Sequence, residues 1–318
     1  MIQTKVTGWQ AFRQSLVREW QPREHSLVKR PELLFNPLGW TVDPWQLSIL
    51  RRHEPQTLVL CPRQVGKSLT AGAKALLTAY TKAGSLSVII SRSQNQAAEV
   101  LLKVKIIHSA YTNQMRESRR IIWQPKHLKS DDVDPDIDQI LDQLRDDPAI
   151  AISNNQLSLE FDNGSRIVTM ACKSETTVGS TTDLLILDEA ARMPDQVYLA
   201  LRPTLAIAQS AGRGELLALS TPNGKRGWFY DAWKRCEGDK KQGERPEWAQ
   251  VSIRVEECPR ITPAFLALEL KEMGRRWYEQ EYECQFRDAI DSVFRSDDIE
   301  RVFSRTIVRP GLPEAVEI

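Results

Sequence analysis

Short apolar runs alternate along this chain with longer stretches in which apolar residues recur every three or four positions. The runs 57–61, 86–91, 157–161, 166–171, 184–188, 215–220 and 248–253 have strand length. Several are apolar at nearly every position, as strands buried on both faces are. Between them, 69–80, 93–112 and 196–206 carry the helical period. Strands alternating with helices predict a mostly parallel sheet covered on both faces. One exception is local: Asp162-Asn163-Gly164 separates two of the runs, and Asn-Gly suits the tight turn of a hairpin. After Pro263 the pattern turns helical, over 265–273 and then 275–286, and predicts a small helical lid.

The same pattern divides the chain into an N-terminal segment over 1–44 that packs on the core, a core over 45–258, and a lid over 259–318. The first segment is irregular and proline-containing, with one short helix near 11–20. Residues 234–247 read as a polar, mobile loop, and the aspartate-rich stretch 131–147 as a solvated insertion. A calcium loop does not fit there, because no register supplies both the sixth-position glycine and the twelfth-position glutamate.

Candidate chemistry sits at the ends of the apolar runs. The first run leads into Cys61-Pro-Arg-Gln64-Val65-Gly66-Lys67-Ser68-Leu69 and then a helix rich in alanine and leucine. A strand, loop and helix in that order form a phosphate-binding loop, since the helix N-terminus aims unpaired amides at an anion. Lys67 would reach the β- and γ-phosphates of ATP, and the Ser68 hydroxyl would ligate Mg²⁺. The usual first glycine of the loop is Cys61 here. A second run ends in Asp188-Glu189, two carboxylates at the C-terminal end of a buried strand. Asp188 would hold the Mg²⁺ and its water shell, and Glu189 would polarise the attacking water. A third run ends in Ser220-Thr221-Pro222, which puts Ser220 or Thr221 near the γ-phosphate. Upstream, Gln46 precedes the first strand with an amide that both donates and accepts and can read the adenine edge.

Composition narrows the class without changing this picture. The 318 residues carry a formal net charge of +1, so any nucleic-acid contact must come from a local patch. No apolar run approaches a membrane span, and the N-terminus lacks the apolar core of a signal peptide, which makes a cytosolic location the default expectation. Five cysteines, an odd number with no Cys-x-x-Cys pair, fit reduced thiols and argue against a zinc site.

Together these residues resemble the ATPase half of the large terminase subunit of tailed double-stranded DNA bacteriophages. The resemblance rests on Arg63-Gln64-Val65-Gly66-Lys67-Ser68, and on the 163–167 hairpin upstream of Leu185-Ile-Leu-Asp188-Glu189-Ala190-Ala191. Ser220-Thr221-Pro222-Asn223-Gly224 with Gly227-Trp228-Phe229-Tyr230 looks like the family's coupling motif and its flank, and Glu281–Phe286 like its closing segment. It covers roughly 40–295 and implies a P-loop NTPase of ASCE/RecA-like fold. The implied role is a packaging motor that hydrolyses ATP to drive double-stranded DNA into a procapsid. Implied partners are the DNA backbone, the portal protein, the small terminase subunit and further copies of the chain in a ring, with a monomer in isolation compatible. The implied location is the cytoplasm of the infected bacterial host and transiently the procapsid portal, not the mature virion.

Within that scheme Arg63 stabilises the transition state or reports nucleotide state to the lid. Arg92, Arg192, Arg202 and Arg213 are candidates to act on a neighbouring subunit's site. The family's Arg-Gly before the Asp-Glu strand is Val178-Gly179 here, so no arginine role carries over. Large terminases continue into a nuclease domain of ribonuclease-H type. Asp288, Asp291, Asp297 and Asp298 read as a solvated tail, so no DNA cutting is expected of this chain. Basic runs at Arg116, Arg119, Arg120, Lys126 and Lys129, at Lys225-Arg226, and over 234–245 are candidate contacts to phosphates. The alternatives are another P-loop translocase such as a helicase, which needs a second RecA-like domain, or an inactive prophage remnant with a structural role.

Overall fold

The computed structural model describes residues 26–122, 151–172 and 181–288, with two further short strands at 306–307 and 316–317 that pair with each other. The proposed helix near 11–20, the acidic stretch 131–147, Lys126, Lys129, Val178-Gly179 and the aspartates from 291 onward lie outside these residues, as do the side chains of Arg119 and Arg120.

Eight strands form one sheet: β1 (Gln56–Leu60), β2 (Leu86–Ser91), β3 (Ala151–Asn154), β4 (Ser158–Phe161), β5 (Arg166–Ala171), β6 (Leu184–Asp188), β7 (Glu215–Ser220) and β8 (Ala249–Ser252). Their order across the sheet is β3-β4-β5-β2-β6-β7-β1-β8. From β5 to β8 every pairing is parallel, while β3, β4 and β5 pair antiparallel. The Asn163-Gly164 turn joins β4 to β5, as the sequence predicts; Asn163 accepts from the Ser165 amide through its side-chain oxygen.

Side chains that alternate along each strand supply two cores, one on each face. Val59, Ile89, Ile167, Ile186, Leu217 and Leu219 face the layer of α2 (Pro44–Arg51), α3 (Lys67–Thr81) and α4 (Gln94–Ile122), with α1 (Ser26–Lys29) beside it. Leu58, Leu60, Val88, Ile90, Leu185, Leu187 and Ala218 face α5 (Asp195–Leu201) and α7 (Gly227–Gln242). A short helix, α6 (Ala206–Ser210), precedes β7, and α8 (Pro263–Glu281), the segment expected to form a lid, follows β8. Leu27, Leu33, Leu34 and Phe35 from the N-terminal segment are buried in the first core. Among the described residues no helix is long and apolar enough to cross a membrane.

The segment over 234–247 is not a loop throughout. Helix α7 runs on to Gln242, and the connection begins at Gly243. The polar C-terminal half masks the period, but Trp228, Phe229, Ala232, Trp233 and Cys236 are buried on one helical stripe. Trp228 stacks on Tyr198 with ring centroids 3.9 Å apart, which fixes α7 against α5. The predicted helix over 196–206 is likewise divided: α5 ends at Leu201, and a 3₁₀ turn containing Pro203 intervenes before α6. Helix α8 holds two helical pieces that meet at Gly274 (φ 76°, ψ 162°), a conformation open only to glycine without strain. Its second piece ends at Glu281 and not at Phe286.

Candidate nucleotide site

The C-terminal ends of β1, β6 and β7 lie side by side, since β7 pairs with both β1 and β6. Topology therefore gathers the three segments that the sequence singles out, at the edge where open α/β sheets bind ligands.

The loop after β1 is tied down at both ends. The Cys61 amide donates to Ser220 O at 3.0 Å, and the Arg63 amide to Glu281 O at 2.9 Å. Gln64 has φ 61° and Gly66 φ 96°, left-handed conformations that turn the chain sharply into α3. A Cβ at Gly66 would also lie 3.0 Å from Gln46 Nε2, so glycine is needed there for space as well as for φ. Cys61 is accommodated because its side chain is buried in the core below the loop. That burial pushes its thiol up to about 12, against the opposing pull of Lys67.

Four functional groups converge above β6. Ser68 Oγ donates to Asp188 Oδ2 at 2.8 Å. Lys67 Nζ donates to Pro62 O at 3.0 Å and lies 3.6 Å from Glu189 Oε1. Burial, and then the neighbouring Glu189 charge, push the Asp188 carboxyl up to about 6, while Ser68 and Lys67 pull the other way. Its second oxygen, Oδ1, is buried and makes no hydrogen bond. Glu189 sits at φ 59°, ψ 43°, a strained conformation for a residue with a side chain.

Arg192 is the residue at this site whose role the sequence does not reveal. It lies within the chain's own cluster. Its Nη1 donates to Glu189 Oε2 at 2.9 Å and to Thr221 Oγ1 at 2.6 Å, and its Nη2 to Glu281 Oε1 at 3.4 Å. A 3₁₀ turn over Ala190–Arg192 returns position 192 toward 189. Arg202 and Arg213 pair within the chain with Glu247 (3.2 Å) and Asp183 (3.4 Å). Arg63 is well exposed, with Nε 4.0 Å from Glu281 Oε2.

The other predicted residues fall in three places. Thr221 faces the cluster through Arg192, whereas Ser220 is fully buried and donates its hydroxyl to Thr221 O at 2.7 Å. Val65 is buried, and Leu69 packs at the edge of the first core. Gln46 lies under Gly66, but its amide is already engaged: Nε2 donates to Thr70 Oγ1 and Oε1 accepts from the Asp43 amide, both at 3.0 Å. Beside it, Arg260 donates to both carboxylate oxygens of Asp43 and to Val65 O, a clamp that the sequence gives no reason to expect.

Comparison with known proteins fits this geometry. Residues 58–301 match the family model described as terminase large subunit, T4likevirus-type, N-terminal. The chain belongs to this family. Terminase large subunits of Thermus phage G20c and Thermus virus P23-45 are each 28% identical to it, over 210 and 211 residues. Those matches cover 64% of this chain and 38% of each relative, so it spans well under half their length. Among solved structures, the large terminase ATPase domain of Thermus phage P74-26 is similar in fold, with a TM-score of 0.54 and 21% identity. It aligns over 84% of this chain and all of that one. The HK97 bacteriophage large terminase aligns at TM-score 0.52 and 14% identity, over 81% of this chain and 55% of its own. A large terminase from a thermophilic bacteriophage, solved with ADP, aligns at TM-score 0.53 and 11% identity, over 77% and 54%. The expected P-loop terminase fold is thereby established.

Proposed function

We propose that this chain is the ATP-hydrolysing motor of viral genome packaging, driving double-stranded DNA into a procapsid. The observation that carries the reading is the Ser68–Asp188 pair at 2.8 Å beside Lys67 and Glu189. Two segments separated by 120 residues meet there in the arrangement phosphoryl transfer needs.

The residues fit Mg²⁺. Asp188 Oδ1 is buried without a partner, next to the Ser68 hydroxyl, and the donors are all oxygen. Among the described residues no group of three or more His, Cys, Asp or Glu side chains could hold a metal ion. Ser68 and Asp188 would therefore hold the ion together with phosphate oxygens and water, and it would neutralise charge on the phosphates.

The chain's own groups do the rest. The loop amides over Gln64–Leu69 and the Lys67 ammonium bind the phosphates and stabilise charge developing on them. Glu189 orients the attacking water and accepts its proton. Arg192 holds Glu189 in place and, through Thr221 and Glu281, ties it to β7 and the lid. Arg63, on the same loop and 4.0 Å from Glu281, stabilises the transition state or reports nucleotide state to α8. DNA is held through its phosphates by exposed basic residues such as Arg116 and Arg226, without sequence preference. The chain acts in the host cytoplasm at the portal, with the small terminase subunit and further copies as partners.

Mg²⁺-dependent ATP hydrolysis that double-stranded DNA stimulates, and that Lys67→Ala abolishes, is the expected outcome of a steady-state assay. Equal turnover in Lys67→Ala would overturn the reading.

A further inference from the structure

We propose that Arg260 is the platform on which the purine base of the bound nucleotide stacks. The proposal rests on the nucleotide reading of the site and assigns the residue that receives the nucleoside end.

The direction of the nucleotide follows from topology. Lys67, Asp188, Glu189 and Thr221, the groups suited to the terminal phosphate, lie at the ends of β1, β6 and β7. With the order β6-β7-β1-β8, the nucleoside leaves the loop on the β8 side. Arg260 follows β8 and reaches Gly66, where its Nη2 would be 3.7 Å from an added Cβ.

The guanidinium is held by its edge. Nη1 donates to Asp43 Oδ1 at 3.2 Å and Nη2 to Asp43 Oδ2 at 2.6 Å, and Nη2 also donates to Val65 O at 3.2 Å. Asp43 is buried, so it fixes the group firmly, while the Arg260 side chain stays 51% exposed. Guanidinium N–H groups point outward in the plane of the group, so these hydrogen bonds do not themselves occupy its faces. A planar cation with a fixed edge and an accessible face is suited to stacking on a π-system. Gln46, the other side chain that a Cβ at Gly66 would meet, is 2% exposed and spends its oxygen on the Asp43 amide. Recognition on this side therefore works through the face of the base, which adenine and guanine share, and not through its edge.

The test compares ADP with inorganic tripolyphosphate, which has no base, by calorimetry on the wild type, Arg260→Ala and Arg260→Lys. Arg260→Lys keeps a cation for Asp43 but has no planar face. Both variants should weaken ADP by about tenfold, the size of one lost stacking contact, and leave tripolyphosphate unchanged within about twofold. GDP should lose affinity in parallel with ADP. Normal ADP binding in Arg260→Lys would reduce Arg260 to a loop clamp and overturn the proposal, as would equal weakening of ADP and tripolyphosphate. A wild type that binds neither ligand would overturn the nucleotide reading itself.

Discussion

Arg192 shows how one side chain can join three segments distant in sequence. Its guanidinium reaches Glu189, Thr221 and Glu281, and Glu281 in turn accepts the Arg63 amide through its backbone carbonyl. With only 20% of its side chain exposed, these charge-assisted bonds are shielded from solvent. Arg192→Ala should therefore lower kcat at least about tenfold while ATP binding stays near wild type, since the lost contacts position Glu189 and do not bind phosphate. Glu281→Gln should reproduce part of that loss, and the double variant should lose less than the two singles combined. Single-turnover hydrolysis with nucleotide titration measures both quantities; an unchanged kcat in Arg192→Ala would remove the residue from this role. At this scale the sequence was uneven. Lys67, Ser68, Asp188 and Glu189 stand out in the sequence because each ends an apolar run or opens the helix after one, and the fold brings them together. Arg192, Glu281 and the Asp43–Arg260 clamp were not, because each depends on contacts between segments that no local pattern records.

Among the elements, the sheet's opposite end carries a second charged cluster with a structural task. Glu215 opens β7 and lies 3.1 Å from Lys74, 2.9 Å from Lys82 and 3.0 Å from His53. Burial raises the Glu215 carboxyl, but the bond from His53 and the charges of Lys74 and Lys82 outweigh it and hold the group at about 2. Lys74 is buried in mid-α3 and also donates to Leu50 O and Arg52 O, so the cluster fastens α3 to β7 and to the end of α2. Removing the carboxylate charge leaves Lys74 buried without its counterion. Glu215→Gln should cost roughly 3 kcal/mol in urea unfolding, the scale for breaking a buried pair. The linkage sign follows from the lowered value: this stabilisation is complete above the ordinary carboxylate pKa of 4.5 and is lost as pH falls through about 2. His108 adds an earlier loss. Burial, and then Arg116, hold its imidazole at about 4 against an ordinary 6.5, so its contribution disappears as pH falls through that window. Glu215→Gln should flatten only the lower part of the acid unfolding profile. Strand positions were the most legible elements, with β2, β5, β6 and β7 bounded as their apolar runs predict. Helix α7 was not, because its buried aromatic stripe gives way to a charged second half.

For the whole molecule, fold and site agree through topology: one mostly parallel sheet brings three separated segments to one edge, and Glu281 at the end of α8 bonds the loop after β1. The family match over 58–301 and the P-loop architecture could be anticipated, since both rest on runs and motifs continuous in sequence. Turnover turns on Glu189, held at a strained φ of 59° between Lys67 and Arg192. That role is tested most directly by comparing ATP binding and Mg²⁺-dependent hydrolysis in the wild type and Glu189→Gln. The variant should bind ATP as the wild type does and hydrolyse it at least about 100-fold more slowly, the loss of a general base. Turnover in Glu189→Gln close to that of the wild type would contradict that role.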